Sequence, residues 1–127
     1  MANVRYSTSH EWCSLEDDIA TCGITQHAVD QLNDLTFLEY RVAAGDDVSR
    51  GDVFGEIDSV KATSELFVPM TGKVEAINER FENEDELPAI NASPEDEGWM
   101  VKIRVSDPTE HAALMDAEAY AAHSDSV

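Results

Sequence analysis

The chain has 127 residues, 43% of them hydrophobic, with 27 Asp plus Glu against 8 Lys plus Arg and a formal net charge of −19. That length allows one domain with a core that needs no metal or disulfide staple, and the composition is globular rather than disordered. The acidity argues against nucleic acid and anionic lipid, which both need Lys and Arg against phosphate, and no apolar run approaches the roughly 18 residues that cross a bilayer.

In chain order, Trp12-Cys13-Ser14-Leu15 and Ile19-Ala20-Thr21-Cys22 flank the turn-like Glu16-Asp17-Asp18 and read as a hairpin. Thr25 is placed to cap a short helix over Gln26 to Leu32, with Ala28, Val29 and Leu32 on one face. Asn33-Asp34 ends that helix, and Leu35 to Tyr40 reads as a strand. Gly45-Asp46-Asp47 and Ser49-Arg50-Gly51-Asp52 are turns. Val53 to Ile57 and Ser64 to Val68 are two more strands, and Pro69-Met70-Thr71-Gly72 turns the chain into a strand over Lys73 to Asn78. Glu79 to Glu97 is the most acidic region and reads as loop with some helix. Trp99 to Val105 is a late strand, Ser106-Asp107-Pro108 opens a short helix, and Asp116 starts a second, AEAYAAH, before a polar tail at 121–127. Many short strands with helices at the margins predict a mainly β sandwich or barrel with added α elements. No repeat with a period of roughly 20–50 residues is present.

If Asp17-Asp18 is the loop, pairing sets Glu16 against Ile19, Leu15 against Ala20, Ser14 against Thr21 and Cys13 against Cys22. Cys13, Leu15, Ala20 and Cys22 then share one apolar face, and two buried reduced thiols are favoured over a cross-strand disulfide. His10, His27, His111 and His123 are scattered, without metal-ligand spacing. No Ser-His-Asp set, glycine-rich phosphate loop or EF-hand loop is present, so the residues do not suggest a catalytic centre of the chain's own. MANVRYSTSHEW lacks the apolar core of a secretory signal; the expectation is a cytoplasmic protein, or a mitochondrial-matrix one if it is a processed eukaryotic form. The acidity suits docking to partners with basic rims, and it equally suits simple solubility in a salty cytoplasm. Among only three lysines, Lys61 stands between two strand-like runs in EIDSVKATSEL, flanked by small residues. A lysine at a hairpin tip can be reached by another enzyme, although on position alone it reads as a solvated charge.

EIDSVKATSELFVPMTGKVEAIN resembles the lipoylation segment of the glycine cleavage system H-protein family, whose pattern is close to E-S-V-K-A-x-S-(D/E)-L followed by P-x-(S/T)-G-x-V-x-x-(V/I)-N. TSHEW at Thr8 to Trp12, ATCGITQHAVDQLNDLTFLEY at Ala20 to Tyr40, EGWMVKI at Glu97 to Ile103, SDPTE and DAEAY also match, in order, over roughly residues 6–120. Three departures stand out. Asp58 either is inserted in the familiar spacing or replaces Glu, and Leu87-Pro88-Ala89-Ile90-Asn91 stands for P-E-L-(I/V)-N with extra residues before it. The family's frequent Gly in the helix-to-strand turn is Asn33 here.

The resemblance implies a barrel-sandwich hybrid, a single lipoyl-carrier domain over 1–127, with the modified lysine at a β-hairpin tip. It implies a monomeric carrier, not an enzyme, with lipoate attached to Lys61 by a lipoate ligase or a lipoyl or octanoyl transferase. The implied partners are a pyridoxal-phosphate glycine decarboxylase, a tetrahydrofolate-dependent aminomethyltransferase and dihydrolipoamide dehydrogenase. The cofactor would carry the chemistry and the protein would bind and orient it. A cationic aminomethyl group needs an anionic or carbonyl acceptor sheltered from water. Ser9, Glu11 and Glu65 are the expected contacts of that arm, Glu11 foremost. The alternatives are a biotin carrier or 2-oxoacid dehydrogenase lipoyl domain, against which Val60, Ala62 and the SHEW and GITQHA segments argue, and an H-like protein that relays lipoate to other complexes.

Overall fold

The first hairpin forms with the expected register. Strands β2 (Glu11–Glu16) and β3 (Ile19–Ile24) pair Cys13 with Cys22, Ser14 with Thr21, Leu15 with Ala20 and Glu16 with Ile19. Asp17 takes a φ of 55°, the left-handed backbone that a two-residue hairpin loop demands. The computed structural model describes residues 3–125. Within it a further strand, β1 (Asn3–Tyr6), runs antiparallel to β2. Sequence reading misses β1 because four residues ahead of a Ser/Thr-rich turn carry no legible alternation.

Thr25 caps helix α1 (Gln26–Leu32), its Oγ1 accepting from the Ala28 N–H at 3.2 Å. Val29 is buried and Ala28 and Leu32 pack beside it. Asn33 ends the helix at φ 65°, a backbone that glycine or asparagine takes most readily. The chain then enters β4 (Leu35–Tyr40), the two-residue β5 (Asp47–Val48), β6 (Val53–Ser59), β7 (Thr63–Phe67) and β8 (Gly72–Ile77). Gly51 turns at φ 93° between β5 and β6. Gly72 is required by space: a Cβ there would lie 2.2 Å from the Arg104 carbonyl oxygen.

The acidic stretch folds into two 3₁₀ turns, Glu79–Glu82 and Glu84–Glu86, and helix α2 (Pro88–Ala92). Phe81, Leu87 and Ile90 anchor it in the core. Each lies in a different short turn, so no helical period shows in the sequence. Asn91 ties this segment to the end of α1, donating to the Asn33 carbonyl at 2.8 Å. Strand β9 (Val101–Val105), α3 (Thr109–Ala113) and α4 (Ala117–Asp125) complete the fold. Helix α4 runs to Asp125, beyond the AEAYAAH segment and into the stretch expected as polar tail.

The strands form two antiparallel sheets, β1-β2-β3-β9-β8-β5 and β4-β6-β7. The result is the expected mainly β, barrel-sandwich architecture. Cys13, Cys22, Phe54, Ile57, Met70 and Ile103 are wholly buried in the core. The two thiols are free, with sulfurs 3.6 Å apart, and burial pushes Cys22 well up. Among the described residues no helix is long and apolar enough to cross a membrane.

Candidate functional site

Strands β6 and β7 pair without a break from Gly55–Leu66 to Asp58–Thr63. Asp58 is therefore an ordinary paired position, and the irregularity in β6 lies near Val53 and Gly55, at the far end. The three residues between the strands, Val60-Lys61-Ala62, make the turn. Ser59 builds it: its N–H donates to the Ala62 carbonyl at 2.8 Å, and its Oγ accepts from the N–H groups of Lys61 and Ala62 at 3.2 and 3.0 Å. The Val60 N–H donates to the Asp34 carbonyl at 3.1 Å, tying the tip to the loop before β4. Thr63 donates to the Asp58 carboxylate at 2.9 Å across the base. Lys61 and Ala62 are exposed, and Val60 is 65% exposed. None of the ion pairs among the described residues engages Lys61. The turn is thus held by its own backbone, by Ser59 and by the tie from Val60 to Asp34, and Lys61 stands exposed at its tip.

The other lysines differ. Lys73 is exposed but lies within β8, paired to Asp47 and Arg104 in the sheet. Lys102 lies in β9 with its Nζ 4.9 Å from the Trp99 ring centroid, held by the negative face of the indole.

Glu11 is 1% exposed. Its carboxylate accepts from Ser7 Oγ at 2.6 Å, from Ser9 Oγ, and from the Phe67 N–H at 3.4 Å. His10, at φ 70°, reverses the chain between Ser9 and Glu11. Burial raises the Glu11 carboxyl to about 7, against the opposing pull of the Ser7, Ser9 and Phe67 donors. No cation is paired with it among the described residues. Glu11 forms part of a cleft of about 350 Å³ walled by Tyr6, Ser7, Arg50, Phe67, Pro69 and Met115. This is a partly apolar hollow with one buried carboxylate, suited to a small cationic group on an apolar stem.

Ser9 and Glu11 therefore come together, and Ser7 and Phe67 join them. Neither Ser7 nor Phe67 stands out in the sequence; serines four and two residues before the glutamate are the only local signal. Glu65 does not line this cleft. It lies on the same face of β7 as Phe67, about 7 Å nearer the tip by strand geometry, and pairs with Arg41 at 3.7 Å. Arg41 also reaches Glu39 and Glu56, at 3.6 and 3.3 Å, so one guanidinium ties a row of carboxylates across β4, β6 and β7. From Thr63 to Phe67 the strand covers about 13 Å, which sets the scale between the lysine turn and the cleft.

The histidines are scattered only along the chain. His10 lies with its ring centroid 4.7 Å from that of His27 and 5.5 Å from that of His123. Among the described residues no three His, Cys, Asp or Glu side chains are disposed to hold a metal ion.

A family model described as Glycine cleavage H-protein matches residues 4–126. A Glycine cleavage system H protein from Thermotoga maritima is 42% identical over 116 residues, 91% of each chain. One from Phenylobacterium zucineum is 44% identical over 117 residues, covering 92% of this chain and 94% of its own. The crystal structure of a glycine cleavage system H protein from Mycobacterium marinum matches with a TM-score of 0.84 at 27% identity, over 97% of both chains. Sequence and fold agree over nearly the whole length, and the chain belongs to the glycine cleavage H-protein family, whose members are carrier subunits rather than catalysts.

Proposed function

We propose that the chain carries lipoate in amide linkage on Lys61 and shuttles between the enzymes of glycine cleavage. The observation that carries this reading is the turn itself: an exposed lysine, in no ion pair among the described residues, on a Ser59-braced hairpin, and of the three lysines the one at a strand-to-strand tip. When bound, lipoate supplies a disulfide that accepts an aminomethyl group and two electrons. The protein's own share is placement. Small Ala62 and the short turn let a ligase or transferase close over the amine, and pairing with β4 keeps the base of the hairpin still. At the other end Glu11, steadied by Ser7 and Ser9, offers a sheltered acceptor for a cationic amine. Glu65 offers a carboxylate between the two. The partners in this reading are the pyridoxal-phosphate decarboxylase, the tetrahydrofolate-dependent aminomethyltransferase and dihydrolipoamide dehydrogenase, met by a single domain acting as a monomer in the cytoplasm.

The test begins with lipoate ligase. Intact mass should rise by one lipoyl group, peptide mapping should place it on Lys61, and Lys61→Arg should abolish it. Modification of Lys73 or Lys102, or continued modification of Lys61→Arg, refutes the assignment. Reconstitution of glycine decarboxylation with the purified partners then tests the shuttle; no turnover with the modified chain refutes it.

A further inference from the structure

Strand β7 ends the β4-β6-β7 sheet on one side and pairs with β6 alone among the described strands. Three anchors show which of its backbone groups face β6. The Ala62 carbonyl accepts from the Ser59 N–H at 2.8 Å. The Val68 N–H donates to the Asp52 carbonyl at 2.7 Å, and the Val68 carbonyl accepts from the Gly51 N–H at 2.8 Å. The Phe67 N–H points the other way, to the Glu11 carboxylate at 3.4 Å. Antiparallel ladders alternate residue by residue, and the register from Asp58–Thr63 to Gly55–Leu66 is unbroken. Ser64 and Leu66 therefore turn their N–H and C=O groups to β6, while Thr63, Glu65 and Phe67 turn theirs outward.

Glu11 takes the Phe67 N–H, so the open stretch runs from Thr63 to Glu65, and both of these residues are exposed. The Glu65 carbonyl accepts from Ser64 Oγ at 3.4 Å and has a second lone pair to offer. This edge starts two residues after Lys61. The other side of the hairpin is closed, because β6 is paired to β4 and Val60 is bonded to the Asp34 carbonyl. A protein that closes over Lys61 therefore meets an open strand edge on the β7 side. The side chains define what can lie along it. Leu38, Ile57 and Leu66 are buried on the inner face of this sheet. On the outer face the register sets Glu39, Glu56 and Glu65 in one row, and Phe37, Asp58 and Thr63 in the next, nearer the tip. Arg41 is shared among the three glutamates, so the row keeps an excess of negative charge. Phe37 is 41% exposed. A second copy of this chain paired through the same edge would bring two Glu65 side chains together. Like charges facing each other destabilise a cross-strand pair, and a charge in mid-edge is a device by which strands refuse self-pairing.

We propose that the open edge of β7 at Thr63 and Glu65 is a strand-addition site for the enzyme that modifies Lys61, which lays an extended segment along it with a Lys or Arg facing Glu65. The proposal rests on the reading of Lys61 as the attachment point. Main-chain bonds to Thr63 and Glu65 fix the offset between the enzyme and the lysine, and the basic side chain continues the glutamate row with the charge that row lacks.

Purified lipoate ligase is the probe. Glu65→Pro removes the outward N–H and sets a ring where the added strand would lie, and it takes no bond from β6; proline is tolerated at edge positions of this kind. With urea melts confirming the fold, kcat/KM for lipoate attachment to Lys61 should fall about tenfold, chiefly through KM, the scale of one or two lost hydrogen bonds. Glu65→Val keeps the N–H and removes the charge, so its fall should be smaller, about threefold, the scale of one exposed ion pair. A second readout needs no proline. Amide exchange of the unmodifiable Lys61→Arg chain is measured alone and with saturating ligase. The Thr63 and Glu65 amides should become protected in the complex, and the Ser64 and Leu66 amides, already bonded to β6, should change little. Equal kcat/KM for Glu65→Pro and the wild type overturns the proposal, as do equal falls for the proline and valine variants or unprotected Thr63 and Glu65 amides in the complex. Protection of those two amides that grows with the concentration of the chain alone assigns the edge to a second copy and also overturns it. A wild-type chain that the ligase leaves unmodified refutes the lipoyl reading and the strand addition together; a wild type modified on Lys61 with an unprotected edge refutes the strand addition alone.

Discussion

Replacing Glu11 by Gln keeps the side-chain volume and one acceptor for Ser7 and Ser9 but removes the charge. In the folded chain the Glu11 carboxyl is pushed from its ordinary 4.5 up to about 7, by burial above all. A group that holds its proton more tightly when folded contributes stability that is complete below its unfolded pKa and is lost as pH rises through the folded one. For Glu11 that window runs from 4.5 to about 7. At about 1.36 kcal/mol for each tenfold change in proton affinity, the loss across it is about 3 kcal/mol. Glutamine cannot lose it. The stability of Glu11→Gln relative to wild type should therefore climb by about 3 kcal/mol between pH 4.5 and about 7.5, then stay level. A pH-independent offset against the variant of about 1–2 kcal/mol is expected, because an amide NH₂ turned toward the Phe67 N–H cannot accept from it. Urea unfolding of both proteins at half-unit pH steps measures the difference, in which the response of the other carboxylates cancels. A difference that does not change with pH, or that moves toward the wild type as pH rises, would show that water or a cation reaches ionised Glu11 and would refute the buried, unpaired carboxylate.

Thiol titration should find two free cysteines after denaturation without reductant and almost none in the native protein, because Cys13 and Cys22 are wholly buried and Cys22 resists ionisation; rapid native labelling would contradict this. Gly72→Ala should lower stability by about 2–4 kcal/mol in urea melts, since the added methyl collides with the Arg104 carbonyl between β8 and β9, and a neutral result would mean the strands part there without cost. Thr25→Ala removes the α1 cap and the Tyr120 hydroxyl contact, with an expected loss of about 1–2 kcal/mol by the same measurement; no loss would mean that water replaces both bonds.

What the sequence discloses follows the range of the interactions involved. The β2–β3 register, the Thr25 cap, the left-handed Asn33 and the Lys61 tip are each decided by neighbours a few residues apart, and alternation or turn chemistry exposes them. The burial of Glu11 is decided elsewhere. By alternation it is a polar residue at a strand start. It becomes buried because the Ser7–His10 turn, the end of β7 and the segment around Met115 close over it, and those partners lie 56 residues away at Phe67 and farther still at Met115. The histidine row is hidden for the same reason: His10 and His123 meet only because α4 returns to β1.

That division bears on how a carrier is built. The Lys61 turn has to be presented to several enzymes in the proposed cycle, so its geometry needs to survive whatever the rest of the domain does. Local bonds from Ser59 give it most of that independence, with one tie from Val60 to the Asp34 carbonyl. The Glu11 cleft has the opposite requirement. A carboxylate held near neutral pKa, with hydroxyl donors on one side and an edge-strand N–H on the other, changes its charge with modest changes in its surroundings. Each surrounding wall comes from a different part of the chain, so a shift in any one of them alters the solvation of Glu11 and with it the attraction for a cation. A site assembled from distant segments can be opened by moving one segment; a site assembled from a four-residue turn cannot. In the proposed cycle, the placement of the lysine on the local structure and the carboxylate on the nonlocal one would assign constancy to attachment and adjustability to shelter.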